Sequence, residues 1–266
     1  MVDSSPETVT PLTEESAIAS LQQEDLSLRY YAAWWLGKFR IRTKAAVDAL
    51  IVALADEDHR TELGDYPLRR NAARALGKLE DKSAIDSLIQ ALECSDFYVR
   101  EAAAQSLEML GATTAIPALK LLLNSGTEAT KQVTGRPHSL EPCEAVIEAL
   151  GSLGATETVP LIESFLNQPV VKVQYAALRA LYQLTQNDVY GQRLVDALKG
   201  SDVKLRRVAL TDLGAIGYLP AAEAIAQCSV ESSFKLIALK GLLEHLALQA
   251  NLSDAIRVMS LMDSLL

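Results

Sequence analysis

Aromatic residues make up only 5% of this 266-residue chain, and cysteine and histidine number three each. Cys94, Cys143 and Cys228 stand far apart with no pair at metal-ligand spacing, and His59, His138 and His245 are equally isolated. Neither a disulfide framework nor a metal site is expected, and unpaired thiols suit a reducing compartment. No Gly-rich phosphate loop, His-Glu-x-x-His helix or Gly-x-Ser-x-Gly elbow occurs, so the sequence assigns no catalytic residue. No run approaches the roughly eighteen apolar residues of a membrane span, and the N-terminus is polar and acidic without a secretory pattern. A soluble, cytoplasmic protein with no membrane span is expected. Basic residues are also short, 25 against 34 acidic for a net charge of −9, which argues against nucleic acid as a partner because that affinity rests on neutralising phosphates.

What the chain does have is a repeat. Leu36, Leu76, Leu107, Leu150, Leu181 and Leu213 each stand four places after a small residue, at Ala32, Ala72, Ala103, Val146, Ala177 and Ala209. One helical turn separates the members of each pair, so both lie on one helix face, where neighbouring helices can nestle. Successive leucines are 40, 31, 43, 31 and 32 residues apart, so the unit is 31 residues long. Within it an Arg-led helix, such as Arg69 to Lys78 or Arg100 to Leu110, precedes a short polar break and a second apolar helix, such as Ile85 to Leu92, Ile116 to Leu123 or Val159 to Leu166. Apolar positions recur at three and four, and no run alternates with period two. Pro117 and Pro160 fall near the starts of second helices, where a missing amide is tolerated. The pattern predicts an all-α fold, a HEAT-like helical repeat solenoid.

The two long intervals contain insertions of about nine and twelve residues relative to this unit. They are Asp56 to Tyr66, acidic and polar, and Ser125 to Pro142, which carries two glycines and two prolines; both are expected to be loops. The predicted organisation is a disordered tail over 1–12, a single elongated solenoid over 13–250, and a C-terminal amphipathic helix over 251–266. In that last segment Ile256, Met259, Met262 and Leu266 recur at three and four. The segment is expected to cap the stack or to bind a partner.

Aligning the first helices on the leucine column places a second pair of positions one turn apart on a shared face: Tyr30 with Trp34, Arg70 with Arg74, Glu101 with Gln105, Glu144 with Glu148, Tyr175 with Arg179, and Arg207 with Thr211. This stripe is polar or aromatic in every unit, so it should face outward and form the binding surface. The arginine column Arg29, Arg69, Arg100 and Arg206 is expected instead to brace the stack, with Asp96 and Asp202 at i and i+4 as partners of Arg100 and Arg206. The first complete helix, Arg29-Tyr-Tyr-Ala-Ala-Trp-Trp-Leu-Gly-Lys-Phe-Arg40, holds both tryptophans. Tyr30, Tyr31, Trp34 and Trp35 cannot all enter a core through one helix face, so some must meet solvent, a ligand or another protein. Aromatic anchors beside arginines are ingredients of a hot spot or of a pocket for a flat anionic molecule.

Here the chain resembles a known family. The Arg29 to Arg40 block, Tyr66-Pro-Leu-Arg-Arg-Asn-Ala-Ala-Arg-Ala-Leu-Gly-Lys-Leu79, Tyr98 to Leu107 and Lys172 to Leu181 closely resemble the E-type subunit of the heterodimeric phycobilin lyases. Gly135-Arg-Pro-His138, Leu205-Arg-Arg207 with Asp212-Leu-Gly214, Gly217-Tyr-Leu-Pro220 and Leu261-Met-Asp-Ser-Leu-Leu266 add to the likeness, which spans nearly the whole chain. The resemblance implies a cyanobacterial lyase subunit that works with a separate F-type subunit as a heterodimer. Together they would join phycocyanobilin, a substrate and not a cofactor, by a thioether bond to a cysteine of a phycobiliprotein alpha chain, typically that of phycocyanin. The acceptor thiol belongs to the substrate protein, so none of this chain's cysteines need act.

A linear tetrapyrrole carries propionates, a conjugated ring system and an ethylidene group open to a thiolate. Arginines suit the first, aromatics the second, and an acid suits pyrrole nitrogens. Tyr30, Tyr31, Trp34, Trp35, Arg70, Arg74, Glu101, Tyr175 and Arg179 are therefore the candidates for bilin or substrate binding, and His138, Arg207, Met259 and Met262 those for partner binding. Two alternatives stay open: the E-type subunit of an isomerising lyase for the phycoerythrocyanin alpha chain, and a non-catalytic scaffold or chaperone for phycobiliproteins.

Overall fold

The structure, a computed structural model, describes residues 12–249 and 251–266. The expected tail over 1–12 lies outside them except for Leu12. The described chain is all-α, with HEAT-like helix pairs and one isolated bridge between Gln132 and Ser139. It divides into two compact units, one ending at Leu110 and one beginning at Gly111.

The first unit comprises α1 (Glu14–Ser20), α2 (Leu26–Lys38), α3 (Lys44–Leu54), α4 (Pro67–Leu79), α5 (Ile85–Ala91) and α6 (Phe97–Met109). The first helices of the repeat, α2, α4 and α6, pack side by side as one layer, and α1, α3 and α5 back them as a second. The second unit comprises α7 (Ile116–Leu122), α8 (Cys143–Ser152), α9 (Val159–Glu163), α10 (Val171–Thr185), α11 (Asp188–Ala197), α12 (Val203–Ala215), α13 (Ala222–Gln227), α14 (Ser232–Gln249) and α15 (Leu252–Asp263). There α8, α10, α12 and α14 form the first layer, with the shorter helices behind them. The two insertions lack α-helix as expected, the second containing a 3-10 turn over Gly126–Thr130. Pro117 and Pro160 fall in the first turns of α7 and α9.

The leucine column and its small partners are fully buried in both units. The residue after the leucine is glycine in four of the six units, and packing explains why. A Cβ on Gly77 would lie 2.5 Å from Ser106 Oγ and 2.7 Å from Ser106 Cβ. Ser106 is itself committed, donating from Oγ to the Ala73 carbonyl at 2.8 Å. Helices α4 and α6 thus touch almost backbone to backbone, and a larger side chain must force them apart. Gly77→Val is expected to cost about 2–4 kcal/mol of stability by overpacking, read as a lower denaturation midpoint.

The arginine column does brace the stack, but through other partners than the sequence suggests. Asp96 caps α6, accepting from the Tyr98 N–H at 2.7 Å, and also accepts from the Tyr66 N–H at 2.6 Å. Asp202 caps α12 by accepting from the Lys204 and Leu205 amides at 2.7 and 3.3 Å. A helix-capping carboxylate is occupied by the orphan amides of the first turn. The arginines turn to carbonyls instead: Arg100 Nη1 donates to Cys94 O at 2.6 Å, and Arg206 donates to Gly200, Ser201 and Ser229 carbonyls at 2.6 to 3.0 Å. Arg29 pairs with Asp56 and donates to the Leu21 carbonyl at 2.9 Å, and Arg69 reaches Glu57 at 2.8 Å, so the first insertion supplies acids for both.

Helix α15 is amphipathic, and the stripe of Ile256, Met259, Met262 and Leu266 is divided between core and surface. Val258 is fully buried, and Leu261, Met262 and Leu265 pack against the core shared with α13 and α14. Arg257 clamps the helix from outside through two bonds to Glu223 at 2.7 and 2.6 Å. Ile256, Met259 and Leu266 stay exposed. The helix therefore closes the core with one face and offers apolar surface on another.

Candidate functional site

Helices α2 and α4 form the most ligand-like part of the predicted stripe. A groove of about 240 Å³ between them is lined by Tyr30 and Trp34 from α2 and by Asn71, Arg74 and Lys78 from α4. Trp34 is 42% exposed although its neighbours Ala32, Ala33 and Leu36 are buried, so its indole is available to a ligand. Asn71, buried, donates from Nδ2 to the Tyr30 carbonyl at 3.3 Å and ties the two walls together. Tyr31 stacks on Trp34 with ring centres 5.4 Å apart, while Trp35 is half-buried against Phe39 at 5.0 Å.

The stripe continues onto α6 within this unit. Arg74 Nη2 lies 3.7 Å from Glu101 Oε2, and the Arg70 guanidinium sits over the Tyr98 ring, 5.6 Å from its centre. Tyr30, Trp34, Arg74 and Glu101 are thus brought into one neighbourhood, with Arg70 beside them. Asn71 and Lys78 also line the groove and were not singled out from the sequence, although the repeated Leu-Gly-Lys at Leu36 and Leu76 carries the signal for Lys78.

In the second unit Tyr175 and Arg179 share a charged cluster. Arg179 Nη1 lies 3.3 Å from Glu148 Oε2 and 3.7 Å from Asp212 Oδ1. Asp212 is only 2% exposed and its Oδ2 has no hydrogen-bond partner. Burial pushes its carboxyl up to about 7, opposed by Arg179 and reinforced by Glu144. Tyr175, half-buried, is raised above the ordinary phenol by burial and then by Asp202 and Asp212. Arg179 is therefore held between two acids inside the stack, a less open position than the stripe reading implies.

The predicted partner residues separate. Met259 and Met262 line an apolar groove of about 460 Å³ with Leu236, Ile237, Leu243 and Leu266. His138 and Arg207 do not line it. His138 lies in the second insertion with Nδ1 2.8 Å from the Ser139 carbonyl, and Arg207 bonds Glu231 and stacks over Phe234 at 4.9 Å.

The three cysteines are free and buried. Burial lifts the Cys143 thiol to about 12 and raises that of Cys228, so neither is a ready nucleophile at neutral pH. Among the described residues no helix is long and apolar enough to cross a membrane.

The fold and site define a HEAT-repeat scaffold with an aromatic and cationic groove and buried thiols. The family described as HEAT repeats matches residues 60–134, and the PBS lyase HEAT-like repeat matches residues 28–56. The phycocyanobilin lyase subunit alpha of Nostoc sp. is 67% identical over 260 residues, covering 96% of this chain and 94% of that protein. Its counterpart from Picosynechococcus sp. is 57% identical over 258 residues, covering 96% of each. This chain belongs to the phycocyanobilin lyase subunit alpha family and is a lyase subunit. The bilin biosynthesis protein PecE of Nostoc sp. is more distant, at 42% over 234 residues, 88% of this chain and 87% of that one. A solved structure of the complex of CpcE and CpcF of phycocyanin lyase from Nostoc sp. contains a chain 65% identical to this one, with a TM-score of 0.90 and full coverage of both.

Proposed function

We propose that this subunit binds and orients phycocyanobilin and its acceptor, and that an F-type partner completes the enzyme that joins the pigment to a cysteine of the phycocyanin alpha chain. The observation that carries the site assignment is the α2–α4 groove, where Tyr30 and Trp34 face a cationic α4. The step is an addition: a carbon–sulfur bond forms at the ethylidene carbon, the ring carbon takes the thiol proton, and nothing leaves. No oxidant, reductant or resident cofactor is required, and phycocyanobilin enters as substrate. Catalysis by this chain is then largely orientation of the pigment and its protection from uncontrolled addition.

The partner reading rests on α15. Its groove leaves Ile237 and Met259 exposed beside a face already used to close the core, and the relative of known structure occurs with a second subunit. Three unpaired thiols suit the reducing cytoplasm. Attachment without isomerisation is favoured by the identities, 67% to a phycocyanobilin lyase alpha subunit against 42% to PecE.

The test is reconstitution of subunit, F-type partner, pigment and acceptor, each omitted in turn. Attachment is expected only with all four; a chain acting purely as a scaffold would leave the acceptor colourless in every mixture. Trp34→Ala and Arg70→Ala are expected to slow attachment, Trp34→Ala by about tenfold or more, since one lost stacking plane is worth ~1–2 kcal/mol. Wild-type rates in both variants would remove these residues from the site.

A further inference from the structure

The α2–α4 groove has two chemically different walls. Tyr30 and Trp34 stand one turn apart on α2, and Arg74 and Lys78 stand one turn apart on α4. Its floor is the contact between Gly37 and Ala75, where a Cβ on the glycine would lie 2.8 Å from the Ala75 Cα. Only the glycine hydrogen and the Ala75 methyl lie between the two helices there, so both walls rise from one shallow floor. Arg74 has Glu101 within 3.7 Å, whereas Lys78 has no acid within ion-pair reach among the described residues. Only Arg74 of the two cations has a carboxylate beside it, and the wall keeps a positive charge for a ligand.

We propose that Arg74 and Lys78 form a dicarboxylate subsite that grips the two propionates of a linear tetrapyrrole, with Tyr30 and Trp34 covering the rings that bear them. This rests on the reading of the groove as part of the bilin surface. The propionates of such a pigment sit on its two central rings and flank one methine bridge, so both acids leave the same edge of the molecule. Residues four apart on a helix have Cβ atoms about 6 Å apart, a spacing suited to two neighbouring carboxylates. At about 240 Å³ the groove is smaller than the 300–1,000 Å³ usual for a whole small molecule, so it takes the central portion and leaves the end rings outside. The ethylidene is on an end ring, and this grip leaves it free to meet the acceptor thiol. Glu101, on α6, lies outside the groove lining and restrains Arg74 from the α6 side of α4.

The experiment compares phycocyanobilin with its dimethyl ester, titrated by absorbance into the reconstituted heterodimer carrying wild-type chain, Lys78→Gln or Arg74→Gln/Lys78→Gln. The wild type is expected to prefer the diacid by about tenfold or more, the single variant by less, and the double variant not at all. Ester affinity is expected to stay unchanged throughout, which also reports that the groove is intact. The proposal is overturned if the double variant keeps the wild-type preference, or if ester and diacid weaken together. Equal wild-type affinity for both would overturn the subsite while leaving the bilin surface standing. Absence of any bilin binding by the wild-type pair would overturn that surface and the subsite with it.

Discussion

The Ile237→Asp/Met259→Asp double variant is expected to fold like the wild type and to lose its partner subunit. Ile237 is 62% exposed and Met259 44% exposed, so neither contributes much to the isolated chain, and two surface charges are tolerated there. Val258, which closes the core, is untouched. In a heterodimer that seats the partner on this groove, each side chain is worth about 1.5–3 kcal/mol when buried, and each aspartate would have to be stripped of water. A loss of at least ~3 kcal/mol is a hundredfold or more in affinity. Co-purification with the F-type subunit and the thermal midpoint of the chain alone separate the two effects. Retained pairing with an unchanged midpoint would move the interface away from α15, and a collapsed midpoint would show that the groove is structural.

The second large effect concerns Asp212, whose carboxyl is raised from its ordinary 3.8 to about 7. Burial raises it first, Arg179 on α10 opposes and Glu144 on α8 reinforces, while Tyr175 on α10 and Glu148 on α8 face the same cluster. Folding favours its protonated form, so the stabilisation is complete below about pH 4, is lost as pH rises to about 7, and is flat above. Asp212→Asn keeps the shape of the neutral acid and leaves Arg179 with Glu148. The variant and the wild type are therefore expected to melt together near pH 4. Near pH 8 the variant should be more stable by ~2–4 kcal/mol, a gap of roughly 4–12 °C. Because other titrations cancel in the comparison, a gap that is the same at both pH values would refute the buried, near-neutral carboxyl.

Helix pairs and their core were legible because a small residue and a leucine one turn apart recur at a nearly constant period. The α2–α4 face was legible for the same reason, since the column fixes which residues share it. The partners of Arg100 and Arg206 were not, because Asp at i and i+4 reads alike as an ion pair and as a helix cap, and only the backbone chooses. Asp212 carried a signal that the column analysis overlooked. It precedes Leu213 where other units have Trp35, Ala75, Ser106, Ala149 and Ala180, so an acid there interrupts a row otherwise without charge. The apolar stripe of α15 was legible in spacing, but not which of its residues meet the core and which the surface. Residues 256, 259, 262 and 266 and residues 258, 261 and 265 both recur at helical intervals, and periodicity alone cannot tell that Met262 turns inward with the second set.

The withdrawal of Cys94, Cys143 and Cys228 from solvent acquires a meaning once the cargo is an electrophile. A carrier that displayed an eager sulfur would alkylate itself and become a dead-end pigment adduct. With its sulfur interior, and in Cys143 strongly disinclined to ionise, the chain would stay chemically silent toward an electrophilic pigment and leave the addition to the acceptor's thiol.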